Sequence, residues 1–202
     1  PFGVVLAMWG GGLRSLSGSA RQAAELLSQE AGPMFERLHE KATLARDAET
    51  DPLTELANRR TFARALETLQ PGDAVVIVDL DHFKLVNDRF GHELGDRALR
   101  TLAACLRNGM RQVDCVARYG GEEFAMVMPA AGAEGAQTAL DRVRRHWSAH
   151  DAVTTFSAGV AVHTVDDDAM STLRRADLAL YSAKELGRNR DVLAPNEAEI
   201  IL

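Results

Sequence analysis

The chain has 202 residues, which is enough for one well-packed domain with an additional segment but short for two complete domains. Hydrophobic residues make up 46% and charged residues 26%, as expected for a soluble globular protein. The net charge of −6 argues against a dedicated binder of nucleic acid polymers, which is usually basic. It leaves open a small phosphate-bearing substrate held by local arginines.

The first 50 residues differ from the rest. Residues 3–9 have the pattern of a buried strand, which the glycines at 10–12 interrupt. From 19 to 49 apolar residues recur at helical spacing, with a kink expected at Gly32-Pro33. This helix either packs on its own domain or dimerises. The apolar run at 2–9 is too short to span a membrane, so we expect no membrane insertion within this segment. Because the chain begins at Pro1, we expect it to be a piece of a longer protein.

After Asp51-Pro52, helical and strand patterns alternate with short connections. Apolar periodicity predicts helices at 59–69, 82–90, 94–108, 133–148 and 171–185. It predicts strands at 75–78, 115–119, 123–128, 155–163 and 191–193. The strand at 75–78 is a continuous apolar run, which is typical of a strand buried on both faces. The pattern as a whole indicates one α/β domain.

Acidic residues follow or flank predicted strands at two places. Asp79 and Asp81 directly follow the apolar strand and would project to the same side if the strand continues; alternatively they cap the next helix. Glu122 and Glu123 follow a Gly-Gly turn, which by itself could be a plain hairpin. Together, carboxylates from neighbouring strands would make a hard oxygen site for Mg²⁺ (or Mn²⁺), the arrangement used in two-metal phosphoryl transfer.

These motifs, over about residues 50–193, resemble the GGDEF family of diguanylate cyclases, with Glu122 in the variable third position of the signature. The segments that carry the resemblance are Asp51-Pro52-Leu53-Thr54, Asp79-Leu80-Asp81-His82-Phe83-Lys84, Asn87-Asp88-Arg89-Phe90-Gly91-His92, Gly95-Asp96, Gly120-Gly121-Glu122-Glu123-Phe124, Ala183-Lys184 and Gly187-Arg188-Asn189. In the opening motif, Glu55 replaces an expected glycine, which puts the local turn in doubt. The resemblance implies an α/β fold similar to nucleotidyl cyclases and the polymerase palm. Its central sheet would be mixed and mainly antiparallel, surrounded by helices and preceded by an N-terminal helical linker.

The resemblance also implies a metal site and a catalytic group. Asp79, the carbonyl of Leu80, and Glu122 would hold Mg²⁺. Glu123 would complete the acidic cluster or contact metal and ribose, and one of Glu122 and Glu123 would assist deprotonation of a ribose 3′-hydroxyl. Lys84 would stabilise phosphate charge.

The substrate residues follow from the same resemblance. Asn87 and Asp96 resemble the family's guanine readers, and a carboxylate suits guanine because it accepts from the N1 and N2 donors that adenine lacks. His92 lies on the same substrate-facing segment. Lys184 and Arg188 are four apart on a predicted helix end, so they would share a face and clamp a triphosphate. Otherwise they are solvated basic residues that favour a helix C-terminus.

A further pattern, Arg111-Gln112-Val113-Asp114, precedes the signature and matches the family's RxxD inhibitory site. Arginine offers planar donors to phosphate and guanine, and aspartate accepts from guanine. Arg142 on the following helix is a third candidate contact with bound product.

The resemblance therefore predicts a cytoplasmic homodimer that condenses two GTP into cyclic di-GMP and two pyrophosphates and is inhibited by its product. Residues 49–202 would form this domain, and 1–48 resemble the C-terminal end of a GAF sensor domain with its linker helix, or else the inner end of a membrane helix with a linker. Three alternatives remain: a degenerate domain that binds cyclic di-GMP or GTP, another nucleotidyl cyclase or polymerase-like enzyme, and a structural dimerisation piece.

Overall fold

The protein was analysed as a computed structural model that describes residues 22, 49–150, 152–166 and 168–195. The chain divides into two units, residues 1–48 and residues 49–202, and the second is described below. The strand predicted at 3–9 and most of the helix predicted at 19–49 lie outside the described residues. No helix in the described ranges has the length and apolarity that crossing a bilayer requires.

The described chain alternates between strands and helices. The strands are β1 (Ala57–Asn58), β2 (Ala74–Leu80), β3 (Cys115–Arg118), β4 (Glu123–Met128), β5 (Phe156–Val162) and β6 (Asp191–Leu193). The helices are α1 (Arg59–Leu66), α2 (Phe83–Phe90), α3 (His92–Gly109), α4 (Gly132–Ser148) and α5 (Ala169–Glu185). All ten predicted elements of this unit are present, with ends shifted by at most a few residues. The two-residue strand β1 was not predicted, because two residues carry no periodicity.

The strands form one six-stranded sheet in the order β1-β3-β4-β2-β5-β6. The four inner strands pair antiparallel with one another, whereas β1 and β6 pair in parallel at the two edges. The predicted mixed, mainly antiparallel sheet surrounded by helices is therefore confirmed.

Strand β2 lies at the centre of the sheet, and all seven of its residues are buried. Its side chains alternate between two apolar clusters. Val76 and Val78 face the cluster covered by α3 and α4, whereas Val75 and Ile77 face the one covered by α1 and α5. Burial on both faces explains why this strand is continuously apolar until Asp79.

Helix α5 packs unusually close to β5. A Cβ atom added at Gly159 would lie 2.0 Å from the carbonyl oxygen of Ala176 and 2.2 Å from the amide nitrogen of Leu180. Only glycine allows this approach of helix backbone to strand backbone. Because β5 is the direct neighbour of β2, the contact carries the C-terminal end of α5, with Lys184, towards Asp79.

Candidate active site

The signature residues form the turn between β3 and β4. The amides of Tyr119 and Gly120 donate to the carbonyl of Glu123 at 2.8 and 3.1 Å. A Cβ atom at Gly120 would lie 2.4 Å from Glu123 Oε2. Gly120 therefore provides the space that lets the Glu123 carboxylate fold back over the turn.

The sheet register brings this turn to Asp79. Asp79 of β2 lies directly opposite Glu123 of β4, and the amide of Leu80 donates to the carbonyl of Glu122 at 3.4 Å. Lys184 reaches the same place from α5, with its Nζ 2.9 Å from Asp79 Oδ2. The carboxylates of Asp79 in β2, Glu123 in β4 and Glu122 in the turn before β4 thus lie with one ammonium group at the same end of the central strands.

The balance of charge at Asp79 is incomplete. Burial raises the pKa of Asp79 above its ordinary value; Lys184 lowers it, and the negative charges of Glu122 and Glu123 raise it again. The net result is a raised pKa, so the Lys184 charge does not fully offset burial and carboxylate repulsion. Additional positive charge would relieve this cost.

Asp79, Leu80 and Glu122, the residues predicted to hold Mg²⁺, are therefore neighbours, and their oxygen donors suit a hard divalent cation. Within the described ranges, no three His, Cys, Asp or Glu side chains converge on a common point as a ready metal cage.

A cavity of about 490 Å³ adjoins the carboxylates. Five predicted site residues line it, namely Lys84, Asn87, His92, Asp96 and Glu122. Phe83, Asp88, Leu99, Arg118 and Gly121 complete the lining. Helix α2, the first turns of α3 and the signature turn all contribute, so residues far apart in sequence share one space. Asp79, Glu123, Lys184 and Arg188 are not part of this lining.

The side chain of Asn87 lines that cavity and packs against Gly95. A Cβ atom at Gly95 would lie 2.0 Å from Asn87 Oδ1, so the first turns of α3 accept the asparagine only because residue 95 is glycine. Asn87 Oδ1 is buried and has no hydrogen-bond partner among the described residues. An orphaned buried acceptor is costly, which indicates a missing donor from a ligand.

Asp96 lies one residue after Gly95 and is half-exposed. Its nearest cation is Arg100, at 3.8 Å between exposed side chains, a pair too long and too solvated to hold the carboxylate firmly. Asp96 can therefore turn to a donor in the cavity. His92 and Lys84 are exposed at its rim.

Arg188 lies differently from the sequence prediction. Lys184 and Arg188 were expected to share a helical face, but α5 ends at Glu185 and Arg188 has a left-handed backbone with φ of 60°. The shared-face argument is wrong, because Gly187, with φ of 108°, terminates the helix between them.

A second cavity, of about 350 Å³, contains Arg111, Asp114 and Arg142, the three residues predicted for the inhibitory product site. Arg111 donates from Nε and Nη2 to Asp114 Oδ1 at 3.1 and 2.7 Å, and Arg142 Nε donates to the carbonyl of Gly109 at 2.9 Å. Its lining shares no residue with the first cavity. The three residues therefore lie together, at a different place on the domain.

Asp81 does not join the acidic cluster. It is 1% exposed and accepts hydrogen bonds from Thr155 Oγ1 at 2.5 Å, Ser157 Oγ at 2.7 Å and the amide of Asn189 at 3.1 Å. The helix-capping alternative is also wrong, because α2 begins after His82 and has no side-chain cap. Local sequence could not find these partners, which lie more than 70 residues further along the chain.

Sequence reasoning also missed Arg118. Its Nη1 lies 3.2 Å from Asp51 Oδ2 and its Nη2 donates to the carbonyl of Gly121 at 2.8 Å. Asp51 holds the opening turn by accepting from the amide and hydroxyl of Thr54. Burial raises the pKa of Asp51, but these bonds and the Arg118 charge outweigh it and lower the pKa below its ordinary value. Arg118 thus ties the opening motif to the signature turn.

The fold and the site together define a nucleotidyl-cyclase type of α/β domain: a mixed, mainly antiparallel sheet with carboxylates on two central strands beside a cavity. The chain belongs to the GGDEF family, since the family described as "Diguanylate cyclase, GGDEF domain" matches residues 48–190.

Relatives agree with this assignment. Diguanylate cyclase DgcP of Pseudomonas aeruginosa is 39% identical over 155 residues, which cover 70% of this chain but only 23% of DgcP. The coiled coil and GGDEF domain of DgcB from Caulobacter crescentus, solved in complex with c-di-GMP, is 33% identical with a TM-score of 0.73, covering 85% of this chain and 100% of that one. An active GGEEF domain of a Vibrio cholerae diguanylate cyclase is 35% identical with a TM-score of 0.59, covering 69% and 92%.

Proposed function

We propose that the domain condenses two GTP molecules into cyclic di-GMP and two pyrophosphates, by attack of each ribose 3′-oxygen on the α-phosphorus of the other nucleotide. The observation that carries the proposal is the buried, partnerless Asn87 Oδ1 in a cavity that also contains Asp96 and Glu122, the member of the acidic cluster that lines it. The family membership and the description of the Vibrio cholerae GGEEF domain as active support it.

Guanine specificity follows from the two acceptors. Asn87 Oδ1 and the Asp96 carboxylate would accept from the N1 and N2 hydrogens of guanine, which adenine cannot supply at those positions. An adenine in the same place would leave both acceptors without donors. Discrimination of about 10⁴-fold is within the range of sites that read a base by buried hydrogen bonds.

The acidic cluster suits Mg²⁺ or Mn²⁺, which Asp79, the Leu80 carbonyl and Glu122 would hold. When bound, the cation would supply charge stabilisation to the phosphates and promote ionisation of the 3′-hydroxyl. Lys184 beside Asp79, Lys84 at the cavity rim and Arg188 would bind the triphosphate oxygens. Glu122 or Glu123 would accept the proton from the 3′-hydroxyl.

The reaction needs two nucleotides facing each other, whereas among the described residues one cavity contains the guanine-reading pair. A homodimer with two opposed domains would supply both. Product inhibition is the second part of the proposal: cyclic di-GMP would bind at Arg111, Asp114 and Arg142, whose cavity is separate from the first. The c-di-GMP complex of the DgcB domain supports binding of this ligand by the fold.

The test is incubation of the purified chain with GTP and Mg²⁺, followed by chromatography of the products, with ATP in parallel. Cyclic di-GMP from GTP, no product from ATP and loss of product in Asn87→Ala would support the proposal. Equal use of ATP would contradict the assignment of Asn87 and Asp96. Arg111→Ala with unchanged product inhibition would contradict the inhibitory site.

The separate Arg111 cavity favours one second candidate, a domain that binds cyclic di-GMP or GTP without turnover. A dimeric sample that forms no cyclic di-GMP but binds it, with binding lost in Arg111→Ala, would select this function over the first.

A further inference from the structure

Asp81 is a buried carboxylate two residues after Asp79, and the proposed chemistry does not use it. Both of its oxygens are occupied by donors within the domain: Oδ1 by the Ser157 hydroxyl, and Oδ2 by the Thr155 hydroxyl and the amide of Asn189. Serine and threonine belong to β5 and the segment before it, whereas Asn189 belongs to the loop after α5. Asp81 therefore joins the end of β2 to the loop that carries Arg188.

That loop has an unusual backbone. Gly187, Arg188 and Asn189 all have positive φ, at 108°, 60° and 48°. Glycine adopts such angles freely and asparagine often does, but arginine does so at a cost of about 1–2 kcal/mol. A strained residue at a functional position persists only where its surroundings hold it.

Hydrogen bonds supply that hold from two sides of Asn189. Its amide donates to Asp81, and its side-chain Oδ1 accepts from Arg144 Nη1 at 2.8 Å. Arg144 is itself fixed by Asp191, by the carbonyl of Phe156 at 3.0 Å and by stacking over the Phe156 ring at 4.1 Å.

The other side of the loop adjoins open space. Arg144, Thr155 and Asn189 border a cavity of about 700 Å³. The left-handed conformation is therefore maintained by directed hydrogen bonds rather than by enclosure in packed apolar side chains. The Arg188 amide itself donates to the carbonyl of Ala183 at 3.0 Å, so loss of the bond to Asp81 would free the loop on its Asn189 side.

We propose that Asp81 is a positioning residue for the triphosphate: it holds Asn189, and through it the strained Arg188, in the conformation that presents the Arg188 guanidinium to the substrate phosphates. This inference rests on the proposed function in assigning Arg188 to the triphosphate. Asp79 and Asp81 lie at the same end of β2. This strand therefore positions the acidic cluster and the phosphate-binding loop relative to each other.

The test uses the whole chain and 3′-deoxy-GTP, which binds like GTP but lacks the hydroxyl needed for condensation. Calorimetric dissociation constants are measured for this triphosphate and for GMP. Asp81→Asn replaces one acceptor oxygen by an NH₂ group, a donor that would face the donating amide of Asn189 or a donating hydroxyl. We expect affinity for the triphosphate to fall about tenfold and affinity for GMP to stay within twofold, since GMP lacks the β- and γ-phosphates.

A double-mutant cycle separates positioning from general damage. If Asp81 acts through Arg188, then Arg188→Ala and the double variant Asp81→Asn/Arg188→Ala will bind the triphosphate equally, within twofold. Losses that multiply in the double variant would overturn the inference, as would a folded Asp81→Asn protein with unchanged triphosphate affinity.

Asp73→Asn is the matched control. Asp73 lies just before β2, is also buried, and also accepts from the amide of a left-handed residue, Ala130, at 2.8 Å. Its triphosphate affinity should match the wild type; a loss equal to that of Asp81→Asn would overturn the inference. If Asp81→Asn does not fold, Asn189→Ala takes its place in the same cycle. We expect a smaller loss of triphosphate affinity, and it must likewise vanish when Arg188 is already alanine.

The outcomes separate this inference from the proposed function. A wild-type chain that binds the triphosphate but makes no cyclic di-GMP contradicts the proposed function. The double-mutant cycle then still tests whether Asp81 acts through Arg188. Normal cyclic di-GMP synthesis with an additive cycle contradicts the inference alone. A wild-type chain that binds no 3′-deoxy-GTP overturns both.

Discussion

Asp79 within strand β2 and the two aspartates that flank the strand, Asp73 and Asp81, have contrasting surroundings. Before the strand, Asp73 is buried and accepts from the amides of Gln70 and Ala130, both at 2.8 Å. After it, Asp81 is buried and likewise satisfied by neutral donors. Asp79, the penultimate residue of β2, instead faces Lys184, Glu122 and Glu123.

This difference separates carboxylates that hold the fold from one that is available for chemistry. Neutral hydrogen-bond donors satisfy the lone pairs of Asp73 and Asp81 and fix neighbouring loops. Burial and the charges of Glu122 and Glu123, which Lys184 offsets only in part, leave Asp79 with a raised pKa, so the folded, metal-free domain bears a cost for keeping it ionised. Burial alone would not distinguish the three residues, since all are at most 7% exposed.

The largest expected effect is on activity, in Asp79→Asn. We expect cyclic di-GMP formation to fall at least about 10²-fold, because a neutral amide is a poorer ligand for the divalent cation that Asp79 would hold, and the cation would no longer stabilise the phosphate charge. Stability should behave in the opposite way. The raised pKa means that ionised Asp79 destabilises the fold at neutral pH and that stability rises as pH falls through that pKa.

Urea unfolding of the wild type and Asp79→Asn at pH 7 and pH 5, with a chelator present, measures this second effect. The wild type should gain stability relative to the variant at the lower pH. A wild type that loses stability relative to the variant on acidification would contradict the raised pKa.

Asp73→Asn should show the reverse pattern, with a cost to stability and none to turnover. Replacing one acceptor oxygen by an amide group leaves a buried backbone donor of Gln70 or Ala130 unsatisfied, at about 2 kcal/mol. Denaturant unfolding gives the free energy, and initial rates with GTP give the turnover. A turnover loss comparable to that of Asp79→Asn would contradict the distinction between Asp73, which holds the fold, and Asp79, which is available for chemistry.

A smaller effect is expected at Asp51, the carboxylate paired with Arg118. Its lowered pKa means that its stabilisation is complete above about pH 5 and is lost as pH falls below about 4 towards that pKa. The stability difference between wild type and Asp51→Asn should therefore shrink by about 1 kcal/mol between pH 6 and pH 3. A difference that is constant with pH would show that the Asp51 charge contributes nothing.

The smallest effect is expected at Glu55, where the opening motif departs from the family. Glu55 has φ of 57°, the left-handed backbone that the missing glycine would adopt without strain. Glu55→Gly should raise the free energy of unfolding by about 0.5–1 kcal/mol, less than the strain itself because glycine is more flexible when unfolded. Thermal unfolding measures the change, and a lower melting temperature would contradict it.

The sequence predicted most of the fold because its signals are local. The apolar run at Val75–Val78 and the glycines of the signature turn are readable within a few residues, and so are the helical periodicities. The cavity could be predicted only through the resemblance, since Lys84, Asp96 and Glu122 are brought together by α2, α3 and the turn after β3.

What the sequence could not predict are partners distant along the chain. Asp81 looks like Asp79 in the sequence, and only the hydrogen bonds from Thr155 and Asn189 separate their roles. The salt bridge between Arg118 and Asp51 spans 67 residues. The end of α5, by contrast, could have been predicted from the sequence, because Gly187 is a helix-terminating signal. A helix that ends before Gly187 cannot give Lys184 and Arg188 a shared helical face.

The most direct test of the central claim is a chromatographic time course of cyclic di-GMP formation from GTP and Mg²⁺, with Asp79→Asn and Asp73→Asn compared at equal concentrations of folded protein. We predict product from the wild type and from Asp73→Asn at similar rates, and at least about 10²-fold less from Asp79→Asn. Equal rates in both variants, or no cyclic di-GMP from the wild type, would contradict the assignment of the catalytic site to the end of β2 that carries Asp79.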